Sequence, residues 1–340
     1  MKTIFLKHKV ELAILSFFLL VMILITSIKV DYTMTAPGYN NEVSSFITID
    51  DSYEQEGSFH TTSVIVVREM SILQKYFADK EDKIEVDEIP TYYTYVDDHS
   101  DINVMGYQMK DDSIANALVV GIEASNQEIE YTVNDVVYLI YNYMTEDTLE
   151  IGDIVISIND GNPYTEAPLV GCEEVATFEI VRNDETMLFE LTKNYYDDEK
   201  CGFGLYINPL TEIISSEVDY KIHNDFTMGP SGGLMQSLYV FNLLTPNDIT
   251  GGKKIAGTGT INDLGQVGAI GGIEQKIITS AMNGIDIFFV PHLSDSEFDN
   301  YIMAKAILET LDTDMKLIPV DSFDDARSYL ESKFGGAFDE

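Results

Sequence analysis

Apolar and polar positions change their spacing three times along this chain, after one unbroken apolar run. Leu12 to Ile28 holds 17 residues without a charge. As a helix that run would span about 26 Å against a hydrocarbon layer of ~30 Å. It predicts a transmembrane helix over 12–28, preceded by a tail over 1–11. Between Asp31 and about Asp112, Ser45 to Ile49 and Ser63 to Val67 read as strands and Met70 to Ala78 as a helix, while Tyr92, Tyr93 and Tyr95 alternate poorly. Residues 31–112 are therefore expected as a small α+β segment. From Ser113 to Lys193 the spacing is mainly that of strands, with Val136 to Tyr141 and Ile154 to Ile158 as buried runs. Beyond Gly202 helix and strand alternate: Ser231 to Leu244, Ile273 to Met282 and Glu297 to Leu311 read as helices, Lys254 to Ile261, Ile285 to Val290 and Lys316 to Val320 as strands, and a last helix starts at Asp321 or Ser322. This predicts an α/β domain over 202–340, joined to a separate strand-rich module over 113–193 by the linker Tyr195 to Cys201, where the period passes from 2 to 3.6.

Charge adds an address to this outline. The chain carries 20 Lys+Arg against 58 Asp+Glu, a formal net charge of −38. A phosphate backbone needs a cationic surface, so nucleic acid is excluded as a partner. A hydrophobic content of 45% excludes disorder throughout. Lys2, Lys7, Lys9 and Lys29 face the single acid Glu11 in residues 1–29, which leaves 16 basic and 57 acidic side chains beyond them, a net of −41. The lysines at the start stay cytoplasmic by the positive-inside rule, and the acidic bulk lies outside the membrane. A cleavable signal peptide is the alternative; against it, the apolar run exceeds the usual ~7–15 residues, and Thr26-Ser27-Ile28-Lys29-Val30 offers no small-residue cleavage site. In an exported chain, Cys172 and Cys201 leave two readings, one disulfide or two free thiols, and no metal-ligand spacing occurs.

Within the strand-rich region, Leu149-Glu150-Ile151-Gly152-Asp153, the strand Ile154 to Ile158 and the turn Asn159-Asp160-Gly161 form one unit. This unit resembles the central signature of PDZ domains. The resemblance implies that an extended peptide adds as a strand beside a groove helix. The sequence departs from the family in lacking a Gly-Leu-Gly-Phe-type carboxylate loop. The stretch Tyr164 to Val175, where the groove helix belongs, is short and holds Pro168 and Gly171. A module that only spaces its neighbours is the competing reading.

Two stretches of the α/β domain carry chemistry. Met228-Gly229-Pro230-Ser231-Gly232-Gly233-Leu234-Met235 sets a serine between glycines at the mouth of a helix, where unpaired backbone N–H groups suit an oxyanion. Ser231 also fits a plain N-cap, or the G-x-S-x-G elbow of α/β hydrolases, for which His292 is the one histidine beyond it. The second stretch runs Ala256-Gly257-Thr258-Gly259-Thr260-Ile261, then Gly265-Gln266-Val267-Gly268-Ala269-Ile270-Gly271-Gly272-Ile273-Glu274-Gln275-Lys276. Together they resemble the proteolytic domain of Lon-type proteases over about 100 residues. That resemblance implies a serine-lysine dyad of Ser231 as nucleophile and Lys276 as general base, with Thr258 beside it and Gly232 as an oxyanion candidate. Met228 stands where Lon proteins usually have Asp, and Ala269 where they often have Pro. The order of anchor, PDZ-like module and Lon-type domain is similar to that of the membrane-bound YlbL-like proteins of bacteria.

Elementary chemistry supports the pairing without the family. A serine hydroxyl needs a neighbour that takes its proton, and lysine can do so only when neutral, which burial achieves by lowering its pKa from ~10.4. Lys276 lies between Ile273 and Ile277 at the edge of an apolar helix face. No G-x-x-x-x-G-K-[ST] phosphate loop occurs, and Gly251-Gly252-Lys253-Lys254 lacks its spacing. The expected function is an ATP-independent, membrane-anchored serine endopeptidase without cofactor or metal, acting on extended protein segments. The resemblance further implies a homo-oligomer, of six subunits in the usual ring. The alternatives are a catalytically silent PDZ adaptor and an acidic secreted binding protein.

Overall fold

The computed structural model describes residues 8–89, 99–139, 149–197, 200–223, 227–293 and 299–335. Tyr92, Tyr93, Tyr95 and the end of the run at Tyr141 lie outside these residues. The apolar run forms helix α1 (Lys9–Ser27), with no buried residue along its 19 positions. It is the one helix among the described residues long and apolar enough to cross a membrane. After four residues the chain enters strand β1 (Tyr32–Glu42), followed by β2 (Ile47–Ile49), β3 (Ser58–Val67), the short helix α2 (Ile72–Ala78), β4 (Glu85–Glu88) and the long helix α3 (His99–Ala124).

These elements do not form a segment of their own. In the C-terminal half the chain runs β12 (Tyr220–Ile222), α5 (Gly233–Leu244), β13 (Lys254–Gly257), β14 (Thr260–Ile261), β15 (Val267–Gly268), α6 (Ile273–Met282), β16 (Ile287–Pro291), α7 (Asn300–Leu308), β17 (Lys316–Val320) and α8 (Phe323–Phe334). One six-stranded sheet, ordered β17-β16-β13-β3-β1-β4, takes three strands from each half. Lys254 to Gly257 of β13 pair in parallel with Ser58 to Thr61 of β3. α5, coming between them in sequence, serves as the crossover that parallel pairing requires. The reason the local reading separated them is plain: alternation identifies a strand but does not name its partner.

Successive strand residues point to opposite faces, and the core divides accordingly. Phe59, Ile255, Ile287 and Phe289 pack with α3, α5 and α8 through Leu118, Leu234, Leu238, Phe323 and Leu330. Ala256, Phe288 and Val290 pack on the other face against Ile273 and Ile277 of α6 and Ala304 of α7. The stretch Ser113 to Ile122, expected to open the strand-rich module, is instead the buried half of α3. It is apolar almost all round, as a helix enclosed by its neighbours must be, and so its periodicity is mute.

The strand-rich module interrupts this body between α3 and β12. Its sheet comprises β5 (Ile129–Leu139), β6 (Ile154–Ile158), β7 (Val175–Arg182), β8 (Glu185–Thr192) and β11 (Leu205–Ser216), in the order β11-β5-β6-β7-β8 with antiparallel pairing throughout. β11 begins at Leu205 and so places the start of the expected C-terminal domain inside this module. The register from Leu205↔Leu139 to Ser216↔Ile129 makes a two-stranded stem. The helix expected over Tyr164 to Val175 is one turn, α4 (Pro163–Glu166). In the Gly-Asp unit, Gly152 has φ +99°. Asp153, 1% exposed, takes Arg182 of β7 on both oxygens at 2.6 Å. The turn after β6 carries its positive φ on Asn159 and Asp160 rather than on Gly161.

The expected linker is a hairpin, β9 (Asn194–Asp197) with β10 (Lys200–Gly202). Cys201 on β10 forms a disulfide with Cys172, ahead of β7. Of the two readings of these cysteines, the paired one holds. The bridge closes a separation of 29 residues, for which loop entropy gives about 3–4 kcal/mol. Replacing both cysteines by alanine is expected to lower the module's stability by that amount, measured by urea unfolding against the oxidised protein.

Candidate active site

The serine loop lies between β12 and α5, held on three sides. Gly229, at φ +88°, gives the left-handed bend that a side chain would strain. Its N–H donates to Gly106 O of α3 at 2.8 Å, and Ser113 Oγ of α3 donates to Pro230 O at 2.8 Å. On the other side, Ser231 O accepts from Gly259 N at 2.9 Å and from Thr258 Oγ1 at 3.1 Å. Ser231 is thus fixed through the Gly229 N–H, the Pro230 carbonyl and its own carbonyl. α5 starts behind it with Gly232 as N-cap and without a side-chain cap. Among the described residues nothing accepts from the N–H groups of Ser231 or Gly232. A β-carbon on Gly232 would stand 3.0 Å from Gln236 Nε2 and from Thr61 Cγ2, so the cradle is closed on the side of β3.

Lysine arrives from the opposite layer. Gly272, at φ +65°, starts α6, and an added β-carbon there would meet Val64 Cγ1 of β3 at 2.9 Å. Glycine at 272 therefore lets the helix begin close against the β1–β3 pair. One turn on, Lys276 is 3% exposed, with Nζ 2.7 Å from Ser231 Oγ and 2.9 Å from Thr258 Oγ1. Thr258, fully buried, is fixed in turn by its N–H to Phe289 O at 3.0 Å. Burial pushes the Lys276 amine down to about 7. Among the described residues no carboxylate pairs with it.

The three polar atoms have a defined direction. The single hydroxyl proton of Thr258 goes to Ser231 O, so Thr258 Oγ1 can only accept from the amine. With one N–H spent there, the lone pair of a neutral Lys276 is free for the hydroxyl proton of Ser231. This is the arrangement a general base needs.

All four residues singled out from sequence, Ser231, Lys276, Thr258 and Gly232, meet at this point. His292 does not: its Nδ1 is 2.5 Å from Asp299 Oδ2 and its ring packs edge-on against Tyr301. Met228 lies against Gly106 and is 48% exposed, and Ala269 is exposed. Sequence reasoning missed Gly106 and Ser113, because the helix that carries them is remote in the chain and neither sits in a motif.

Residues 225–330 match the family model described as the Lon protease (S16) C-terminal proteolytic domain. A Lon protease from Elusimicrobium minutum (strain Pei191) is 29% identical over 97 residues, which are 28% of this chain and 11% of that protein. The chain thus spans about a tenth of the curated relative it matches. A Lon-type proteolytic domain is present, and Ser231, Thr258 and Lys276 lie in the matched span. β1, β3 and α3 lie outside it, yet complete the sheet and brace the serine loop.

A buried amine also marks the stability of the fold. The folded chain releases the Lys276 proton near 7, whereas an unfolded chain keeps it to the ordinary 10.5. Between those values the unfolded state holds the extra proton, so stability rises with pH across the window and the full penalty applies below it. Lys276→Met is expected to be more stable than the parent by several kcal/mol at neutral pH, on the order of 4. That gain should shrink as pH climbs toward 10.5, read from chemical denaturation at a series of pH values.

Proposed function

We propose that the chain is a membrane-anchored serine endopeptidase in which Ser231 and Lys276 act as a dyad and no nucleotide is consumed. The observation that carries this reading is the 2.7 Å approach of a buried, carboxylate-free lysine amine to a serine hydroxyl. As Ser231 Oγ attacks a peptide carbonyl, the neutral amine takes the hydroxyl proton. The tetrahedral oxyanion develops beside the free N–H groups at the start of α5, with Gly232 as donor. The ammonium then protonates the departing amine, leaving an acyl ester on Ser231. Water attacks the ester with Lys276 again as base, and the acid product leaves. Thr258 keeps the lone pair aimed at Ser231 throughout.

α1 supplies the anchor in this reading, with the tail over 1–11 cytoplasmic and the bulk extracytoplasmic. The disulfide between Cys172 and Cys201 supports an exported location, since such bridges persist in oxidising compartments. No phosphate loop lies within these residues, so hydrolysis here draws on extended tails and loops that need no unfolding by this chain. The five-stranded module is read as PDZ-like, presenting substrate tails or spacing the body from its neighbours. Its groove helix is reduced to the single turn α4.

Peptide cleavage is expected to rise with pH through a midpoint near 7, as the amine loses its proton. Ser231→Ala and Lys276→Ala should each abolish it, and the double variant should cost little more. Lys276→Arg should fail as Lys276→Ala does, because a guanidinium stays charged. Thr258→Val should reduce kcat less than loss of either dyad member, and His292→Ala, chelators and ATP depletion should leave the rate nearly intact. Full activity in Lys276→Ala would overturn the dyad.

The homo-oligomer is proposed on the family resemblance, with six subunits as the expected number. A net of −41 beyond residue 29 opposes it through self-repulsion that salt screens. Association should therefore strengthen as salt rises, followed by sedimentation in detergent, and a monomer at high salt and high concentration would exclude it.

A further inference from the structure

The chain leaves α1 through a knot of backbone hydrogen bonds. Ile72 N, at the first residue of α2, donates to Ile28 O at 3.2 Å, and Val30 N donates to Met70 O at 2.8 Å. Lys29 and Ser71 form an antiparallel bridge between these contacts. Ser71 caps α2 in a capping box with Gln74, so the direction in which α2 departs is also fixed. The short helix is therefore held level with the end of α1, beside the point where an apolar helix without a buried residue stops.

Its outer side exposes large apolar side chains. Ile72, Tyr76 and Phe77 are 40%, 53% and 62% exposed. Lys80 lies over the Tyr76 ring at 4.0 Å and donates to its hydroxyl at 2.6 Å. Between α2 and the last turn of α1 runs an open cleft of about 770 Å³, with Met34, Leu73, Phe77 and Ile84 as apolar walls and both Lys29 and Glu81 among its lining residues. Aromatic rings, one of them with a lysine ammonium against it, next to the end of an apolar span, match the belt of side chains found at a membrane–water boundary.

We propose that α2 is an interfacial helix: Ile72, Tyr76 and Phe77 are seated in the outer layer of the bilayer that α1 crosses, and lipid chains fill the cleft between the two helices. The occupant is the lipid surface because the patch is continuous with α1, whose own exposed side chains already require lipid. Lys80, its ammonium bonded to the Tyr76 hydroxyl, sits at headgroup level in this arrangement. This inference rests on the reading that α1 spans the membrane. It adds a second contact, which fixes the tilt of the catalytic sheet above the bilayer.

The full chain in lipid nanodiscs tests it. Both native cysteines are bridged, so single cysteines introduced as Leu19→Cys, Tyr76→Cys, Phe77→Cys or Met282→Cys accept an environment-sensitive fluorophore. Nitroxide lipids, labelled either near the headgroup or deep in the chain, act as quenchers. The expected result is loss of emission at 76 and 77 with the shallow quencher, loss at 19 with the deep one, and none at 282. Quenching at 19 without quenching at 76 and 77 would overturn the interfacial helix and leave the span intact. Absence of quenching at 19 would overturn both, and quenching at 282 as strong as at 77 would remove the fixed tilt.

Discussion

The amine of Lys276 is buried, among the described residues, without a carboxylate to neutralise it, and much of the molecule is arranged around that fact. An ammonium there would carry a desolvation cost that no carboxylate among the described residues repays, so the proton is lost near neutrality. Keeping the site dry takes a full layer on each side: the apolar faces of β13 and β16 beneath, α6 and α7 over one face, α3, α5 and α8 over the other. The same burial calls for a polar partner to the amine. Thr258 provides it with one hydroxyl, accepting from the lysine and donating to the carbonyl of the serine whose side chain the lysine faces.

The segments before and after the inserted module share this task. The motif residues come from loops and helices late in the chain, whereas their support comes from early in it. Ser113 and Gly106 hold the serine loop, and Val64 with Thr35 lie beside Gly272 where α6 starts. The stem of β5 and β11 leaves and re-enters this body between α3 and β12. The module therefore joins the framework through the helix that braces Ser231 at one end and the strand that precedes the serine loop at the other.

Much of this was legible locally. α6 runs from Ile273 to Met282 and β17 from Lys316 to Val320, as their apolar spacing required. The pairing of Ser231 with Lys276 was implied by the resemblance to Lon-type proteases, and the glycine-rich approach and a lysine at the margin of an apolar face agreed with it. What local spacing could not carry was partnership across distance. Lys254 pairs with Ser58 only once the chain between them has folded, and no residue of β3 advertises that. α3 escaped for a different reason: Ala117 to Ile122 is buried on every side, so it lacks the polar stripe that distinguishes a helix from a strand. The open question of the cysteines turned on whether β10 folds back beside the start of β7, which spacing alone does not determine.

Only residues 28–31 separate α1 from β1, and they are tied down by bonds to α2 and by Asp31 O accepting from Ile89 N at 2.9 Å. β1 then enters the sheet beside β4 from Tyr32 and has β3 on its other side from Met34 on. There is no slack in this attachment and no glycine in it to act as a swivel. Turning α1 about its own axis turns the whole sheet with it, and the compass bearing of Ser231 is set by the rotation of a single helix.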